Sequence, residues 1–125
     1  MKEFERVVWK IHKYRKKVVL SNISKDWDLF MAWFDLADCI GHLYMGRSIL
    51  KILKAYLELD RLATNLKTMV GDDTLFIIVS DHGMMPGGKH SDRAFYSFSN
   101  DIARRPNKIE DFYLLIIDLL NRRCA

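Results

Sequence analysis

Thr74-Leu75-Phe76-Ile77-Ile78-Val79-Ser80-Asp81-His82-Gly83-Met84 is the stretch on which the fold turns. Five apolar residues, Leu75 to Val79, run unbroken into Ser80, Asp81 and His82. The run is too short for a helix and rich in β-branched and aromatic side chains. It reads as a strand buried on both faces, as inside a parallel sheet. Open α/β sheets place ligands at the carboxyl ends of their strands. A carboxylate and an imidazole there, followed by glycine, suit a hard divalent metal or an acid/base pair. A strand that simply ends in a polar turn fits the same residues.

Working outward, Gly46 to Met69 carries Ile49, Leu50, Leu53, Tyr56, Leu57, Leu59, Leu62, Leu66 and Met69 at helical spacing, and Gly71-Asp72-Asp73 stops the helix. Before it, Asp28-Leu29-Phe30-Met31-Ala32-Trp33-Phe34 reads as a second buried strand, also ending in polar residues, Asp35, Asp38 and His42. Strand, long helix, strand predicts a right-handed βαβ unit with parallel strands. The fold class expected is therefore α/β. Residues 3–20 form an amphipathic helix through Phe4, Val7, Val8, Ile11, Tyr14 and Val18, with a basic run over 10–17 on its solvated side. His12 in that run has no nearby ligand residue and reads as structural or exposed. Residues 21–26 are a polar connector. The stretch Gly83 to Ser91 reads as a long, flexible glycine-rich loop, Ala94 to Ser99 as a short strand or extended segment, and 109–122 as a last helix. Trp27, Trp33, Phe95 and Tyr96 are expected in the core.

The totals bound the function. A chain of 125 residues, half hydrophobic, suffices for one domain with a modest core. A net charge of +4, mostly dispersed, gives no nucleic-acid signal. There is no run of about 18 apolar residues, so no transmembrane helix or membrane partner is expected. The charged N-terminus is not a signal peptide. Cys39 and Cys124 make no disulfide framework and read as reduced thiols of a cytoplasmic protein.

The candidate ligands form three clusters. Asp38 and His42 are four apart, on one face of any helical turn. Asp81 and His82 follow the second strand, and His90 follows Gly87-Gly88-Lys89. Adjacent parallel strands would bring all three to one sheet edge, where nitrogen and oxygen donors suit zinc or manganese. Singly each has a plainer reading: Asp38 as a turn cap, His42 as a partly buried histidine, His90 as a loop histidine.

These phrases resemble the alkaline phosphatase superfamily, most closely its type I phosphodiesterase and nucleotide pyrophosphatase branch. The likeness lies in Asp38-Cys39-Ile40-Gly41-His42, in Tyr56-Leu57-Glu58-Leu59-Asp60-Arg61-Leu62, in Ser80-Asp81-His82-Gly83-Met84, and in Gly88-Lys89-His90-Ser91 with Ala94-Phe95-Tyr96-Ser97. It runs from about residue 27 to residue 98. The resemblance implies a three-layer α/β/α, partial alkaline-phosphatase-like fold with a small, mostly parallel sheet. Residues 1–26 would be helix and connector, 27–99 the metal-site βαβ core, and 100–125 the C-terminal helix. It also implies two metals. One would take Asp38, His42 and His90. The other would take Asp81 and His82 with a further Asp and a Thr or Ser nucleophile, which attacks phosphorus. The ion implied is zinc, with manganese the alternative, and Lys89 could contact the phosphate.

The chain departs from that pattern before Asp38. No strand ending in Asp is followed there by a Thr or Ser opening a helix, and Ser21 and Ser24 stand in other contexts. The expectation is a C-terminal portion of such an enzyme, without the nucleophile and the first ligand Asp, and inactive alone. A phosphoester substrate would be met only on completion by an N-terminal half, and a homodimer or a partner chain is expected. The alternatives are a subunit of a split enzyme and a non-catalytic metal-binding or interaction module.

Overall fold

The computed structural model describes residues 1–102 and 105–123, less the side chain of Arg123. Cys124 lies outside the described residues. In order they form α1 (Lys2–Asn22), α2 (Leu36–Tyr44), α3 (Ile49–Val70), β1 (Ile77–Val79), β2 (Gly83–Met85), β3 (Lys89–Ser91), β4 (Tyr96–Phe98) and α4 (Asp111–Arg123).

The core is helical. Leu36, Ile40 and Tyr44 recur every fourth residue on α2 and meet Val8 of α1 and Ile52 and Ala55 of α3. Leu36 and Ala55 are wholly buried. Where α1 ends and α3 nears its last turn, Ile23, Leu62 and Leu66 form a second cluster, covered by Trp27, Phe30, Phe34 and Phe76. Charged pairs fasten the helices at the margin. Glu5 of α1 accepts from Lys51 Nζ at 2.6 Å and from Tyr44 Oη at 2.7 Å. Glu58 of α3 accepts from Lys16 Nζ at 2.7 Å and lies 3.2 Å from Nε2 of the buried His12. His12 is thus structural, wedged between the rings of Trp9 and Phe34.

The mostly parallel sheet and the βαβ unit are not found. Both sheets among the described residues are two-stranded and antiparallel: β1 with β4 (Ile77 opposite Phe98) and β2 with β3 (Gly83 opposite Ser91). The physical reason lies in the connections. Residues 80–95 between β1 and β4 hold the β2–β3 hairpin and no crossover helix, so the chain returns antiparallel. Residues 29–34 form neither helix nor strand and belong to no ladder. Their aromatics are satisfied by side-chain packing instead: Phe30 and Phe34 enter the second cluster, while Met31 and Trp33 remain 76% and 69% exposed. Ile78 and Val79 of β1 are exposed as well, so neither run is buried on both faces.

Other expectations shift in detail. The supposed flexible loop is the β2–β3 hairpin. Pro86 precedes Gly87 at φ 81°, and Gly88 N–H donates to Met85 O at 3.2 Å, the pattern of a type II turn. On α3, Ile49, Leu50, Leu53, Tyr56, Leu57 and Met69 are exposed; the buried edge runs through Ile52, Ala55, Leu62 and Leu66. On α1 only Val8 of the expected apolar stripe is buried. Trp33, Phe95 and Tyr96 stand at the surface rather than in the core, whereas Trp27 packs on the second cluster and donates to Ile23 O at 2.8 Å. α4 meets β4 through Phe112, which packs against the rings of Tyr96 and Phe98.

Candidate metal centre

Helix α2 carries the first two candidate ligands. Asp35 stands at its N-cap, its carboxylate 2.6 Å from Arg15 Nη1, so the cap position belongs to Asp35 and not to Asp38. Asp38 lies in the first turn, where the helix dipole favours a negative charge. One turn later His42 presents Nε2 3.3 Å from Asp38 Oδ1, as the four-residue spacing dictates.

The β2–β3 hairpin brings the others, and glycines let it approach. A Cβ on Gly41 would stand 2.9 Å from Met84 Cε, and β2 lies over α2 there. A Cβ on Gly88 would stand 2.8 Å from His42 O and 2.9 Å from His42 Cα, and Gly88 also holds φ at +72°. Gly87 N–H donates to Met45 O at 3.2 Å. Neither contact was legible as function in the sequence; the paired glycines before Lys89-His90 were the available signal.

Seated this way, His90 Nε2 lies 3.4 Å from Asp38 Oδ1 and 2.9 Å from His42 Nε2. The His82 ring stacks on that of His90, with centroids 3.6 Å apart, and its Nε2 lies 3.8 Å from the same Asp38 oxygen. Three of the four histidines therefore converge on one carboxylate oxygen. Asp81 does not. Its Oδ1 accepts the His82 backbone N–H at 3.1 Å, and its side chain is largely exposed. Lys89 is adjacent but exposed.

Hydrogen bonding sets the tautomers. A carbonyl can only accept, so His42 Nδ1–H donates to Gly88 O at 2.7 Å and His82 Nδ1–H to Gly83 O at 3.0 Å. In the neutral rings both Nε2 atoms keep their lone pairs, the arrangement that backbone carbonyls impose on metal-binding histidines. Asp38 Oδ1 is buried and accepts no hydrogen bond. Such an orphan is costly unless a cation offsets it.

The spacing fits an ion. A tetrahedral zinc with bonds of about 2.0–2.1 Å holds its ligand atoms about 3.3–3.4 Å apart. Asp38 Oδ1, His42 Nε2 and His90 Nε2 stand 3.3, 3.4 and 2.9 Å from one another. Asp38, His82 and His90 also offer ligand atoms all within 4.8 Å of each other. Burial first, then the charges of Asp35 and Asp38, push the Cys39 thiol above the ordinary range.

The family model described as type I phosphodiesterase / nucleotide pyrophosphatase matches residues 3–114, a span that includes α1 from its second residue and every candidate ligand. Neither the curated proteins nor the solved structures yield a match. No helix of the described residues is long and apolar enough to cross a membrane.

Proposed function

We propose, from the premise that this chain belongs to the type I phosphodiesterase / nucleotide pyrophosphatase family, that it supplies the metal-holding part of a phosphoester hydrolase site. The observation that carries this reading is the meeting of imidazole Nε2 atoms at the orphaned Asp38 Oδ1. Asp38, His42 and His90 are the ligands of one divalent ion, zinc first by donor type and manganese second. Asp81 and His82 are offered to a second ion once further ligands are supplied. A bound divalent ion contributes charge withdrawal from a phosphoryl oxygen and a lowered pKa at the attacking oxygen.

The chain's own residues bind and orient. Gly88 O fixes the His42 ring and Gly83 O the His82 ring. Lys89 stands one residue from His90 and is available to a phosphate. No Ser or Thr of the chain is assigned as nucleophile, so the chain alone is proposed to be inactive. The test is turnover of bis(4-nitrophenyl) phosphate by the purified chain with zinc or manganese. No turnover above metal alone is expected. Activity that survives repurification and is lost in His42→Ala would overturn the inactivity.

A second reading concerns assembly. Met31 and Trp33 are exposed on the segment before α2, and β1 pairs on one edge only. Exposed apolar side chains and an unpaired strand edge each invite another chain. This supports a homodimer or a partner chain. Light scattering that finds a monomer at all concentrations would remove the homodimer.

A further inference from the structure

We infer that the outward face of α1 docks an amphipathic helix of another protein, one whose apolar seam is flanked by glutamate or aspartate. No residue of α1 enters the metal reading above, so the two stand or fall separately.

Helix α1 has two apolar faces. Val8, Trp9, Val19 and Leu20 turn inward and pack on the two core clusters. Phe4, Val7, Ile11, Tyr14 and Val18 turn outward and are between 41% and 69% exposed. A surface helix ordinarily carries polar residues opposite its core face. The outward set instead recurs at alternating steps of three and four, the a and d positions of a heptad repeat. At 3.6 residues per turn these positions make a stripe about 80° wide. That is narrower than the arc of at least about 100° with which a helix meets a broad apolar surface. A narrow a/d stripe is the seam that one facing helix covers, which favours a helix over a bilayer as the occupant.

Charge selects the kind of helix. Arg6 pairs with Glu3, Arg15 with Asp35 and Lys16 with Glu58. Lys10 and Lys17 fall at the g positions beside the seam, and both are exposed, without an ionic partner among the described residues. Residues at g meet the e or g positions of the facing helix, so acidic side chains there give opposite-charge contacts. A second copy of α1 fits poorly. In parallel it sets Lys10 against Arg15, and antiparallel it sets lysine against lysine, and like charges so placed repel.

The probe is a synthetic peptide of leucine heptads with glutamate at e and g; its twin carries lysine there. Fluorescence anisotropy of each labelled peptide against the full chain reads the affinity. The Glu peptide should bind saturably, and the Lys peptide about tenfold more weakly or worse. Ile11→Gln, in the middle of the seam, should weaken the Glu peptide by about tenfold or more. Val7→Gln is measured in parallel, with circular dichroism, so that misfolding of one variant does not decide the matter. Reversing both flanking charges, Lys10→Glu with Lys17→Glu, should invert the preference between the peptides. The inference is overturned if neither peptide binds, if the folded seam variants bind as the wild type does, or if the preference fails to invert. Binding to vesicles of equal parts phosphatidylcholine and phosphatidylserine, without binding to the Glu peptide, would overturn it in favour of a membrane. A dimer in sedimentation that Ile11→Gln abolishes would overturn it in favour of a second copy.

Discussion

Replacing Gly88 by alanine tests how the hairpin builds the centre, and Gly87→Ala is its control. Both glycines hold positive φ, 72° and 81°. A non-glycine residue in the left-handed region costs about 1–2 kcal/mol. The two differ in their surroundings. An added Cβ at Gly87 meets nothing within 4 Å, whereas at Gly88 it meets backbone atoms of His42 at 2.8 and 2.9 Å. Backbone cannot step aside as a flexible side chain can, so the hairpin must lift from α2. That breaks the His42 Nδ1–H bond to Gly88 O, worth about 0.5–1.5 kcal/mol. Gly87→Ala should therefore lose about 1–2 kcal/mol of stability and keep its metal affinity. Gly88→Ala should lose about 1.5–3.5 kcal/mol. It should also bind metal about 10–100-fold more weakly, because the outer-shell bond that orients His42 is gone. Urea melts of the metal-free proteins and calorimetric zinc titrations measure the two effects. Equal zinc affinities in the two variants would refute the idea that contact between Gly88 and α2 organises the site.

Further outcomes follow from other parts of the molecule. Leu36→Ala, in the fully buried core of α2, should cost about 2–5 kcal/mol in a thermal or urea melt; a smaller loss would mean that α2 is less tightly packed than described. Trp33→Ser, at a site 69% exposed, should change monomer stability by no more than about 0.5 kcal/mol while reducing self-association in sedimentation. Glu58 is held below its ordinary value of 4.5, first by the Lys16 hydrogen bond and then by that from His12, and Glu5 by Lys51 and Tyr44. A carboxylate depressed in the folded state contributes stability above its unfolded pKa, and loses it as pH falls through the folded one. Stability should therefore drop on acidification from near pH 4.5 downward, and Glu58→Gln should flatten that limb; an unchanged slope in urea melts across the range would contradict the pairing.

The clustering of the candidate side chains was more legible than the fold. Asp38 and His42 need only a helical turn to face one another, and the sequence around them specifies one. His90 was legible as a candidate from its company, since it follows a glycine pair and stands near Asp81-His82, and its Nε2 lies 3.4 Å from Asp38 Oδ1. Strand pairing is a non-local property. The run Leu75 to Val79 reports an extended, apolar segment and says nothing about which segment lies beside it. The pairing of β1 with β4 is set by the hairpin between them, and that hairpin was hidden because Gly87 and Gly88 read as flexibility when they serve positive φ. Residues 29–34 carry the composition of a buried strand, yet only Phe30 and Phe34 are anchored. The helical faces misled for a related reason. α1 and α3 are apolar over more of their circumference than their present neighbours cover, so a stripe could be recognised without knowing which part of it is buried. His12 shows the reverse. Its burial against Glu58, 46 residues away, has no local signature.

The central claim is that Asp38 gathers the histidines around a metal ion. Metal content by elemental mass spectrometry, on exhaustively dialysed wild type and on Asp38→Asn, tests it most directly. The account predicts one zinc or manganese per chain in the wild type and none in the variant. A wild type that stays metal-free after reconstitution, or a variant that retains its ion, would contradict it.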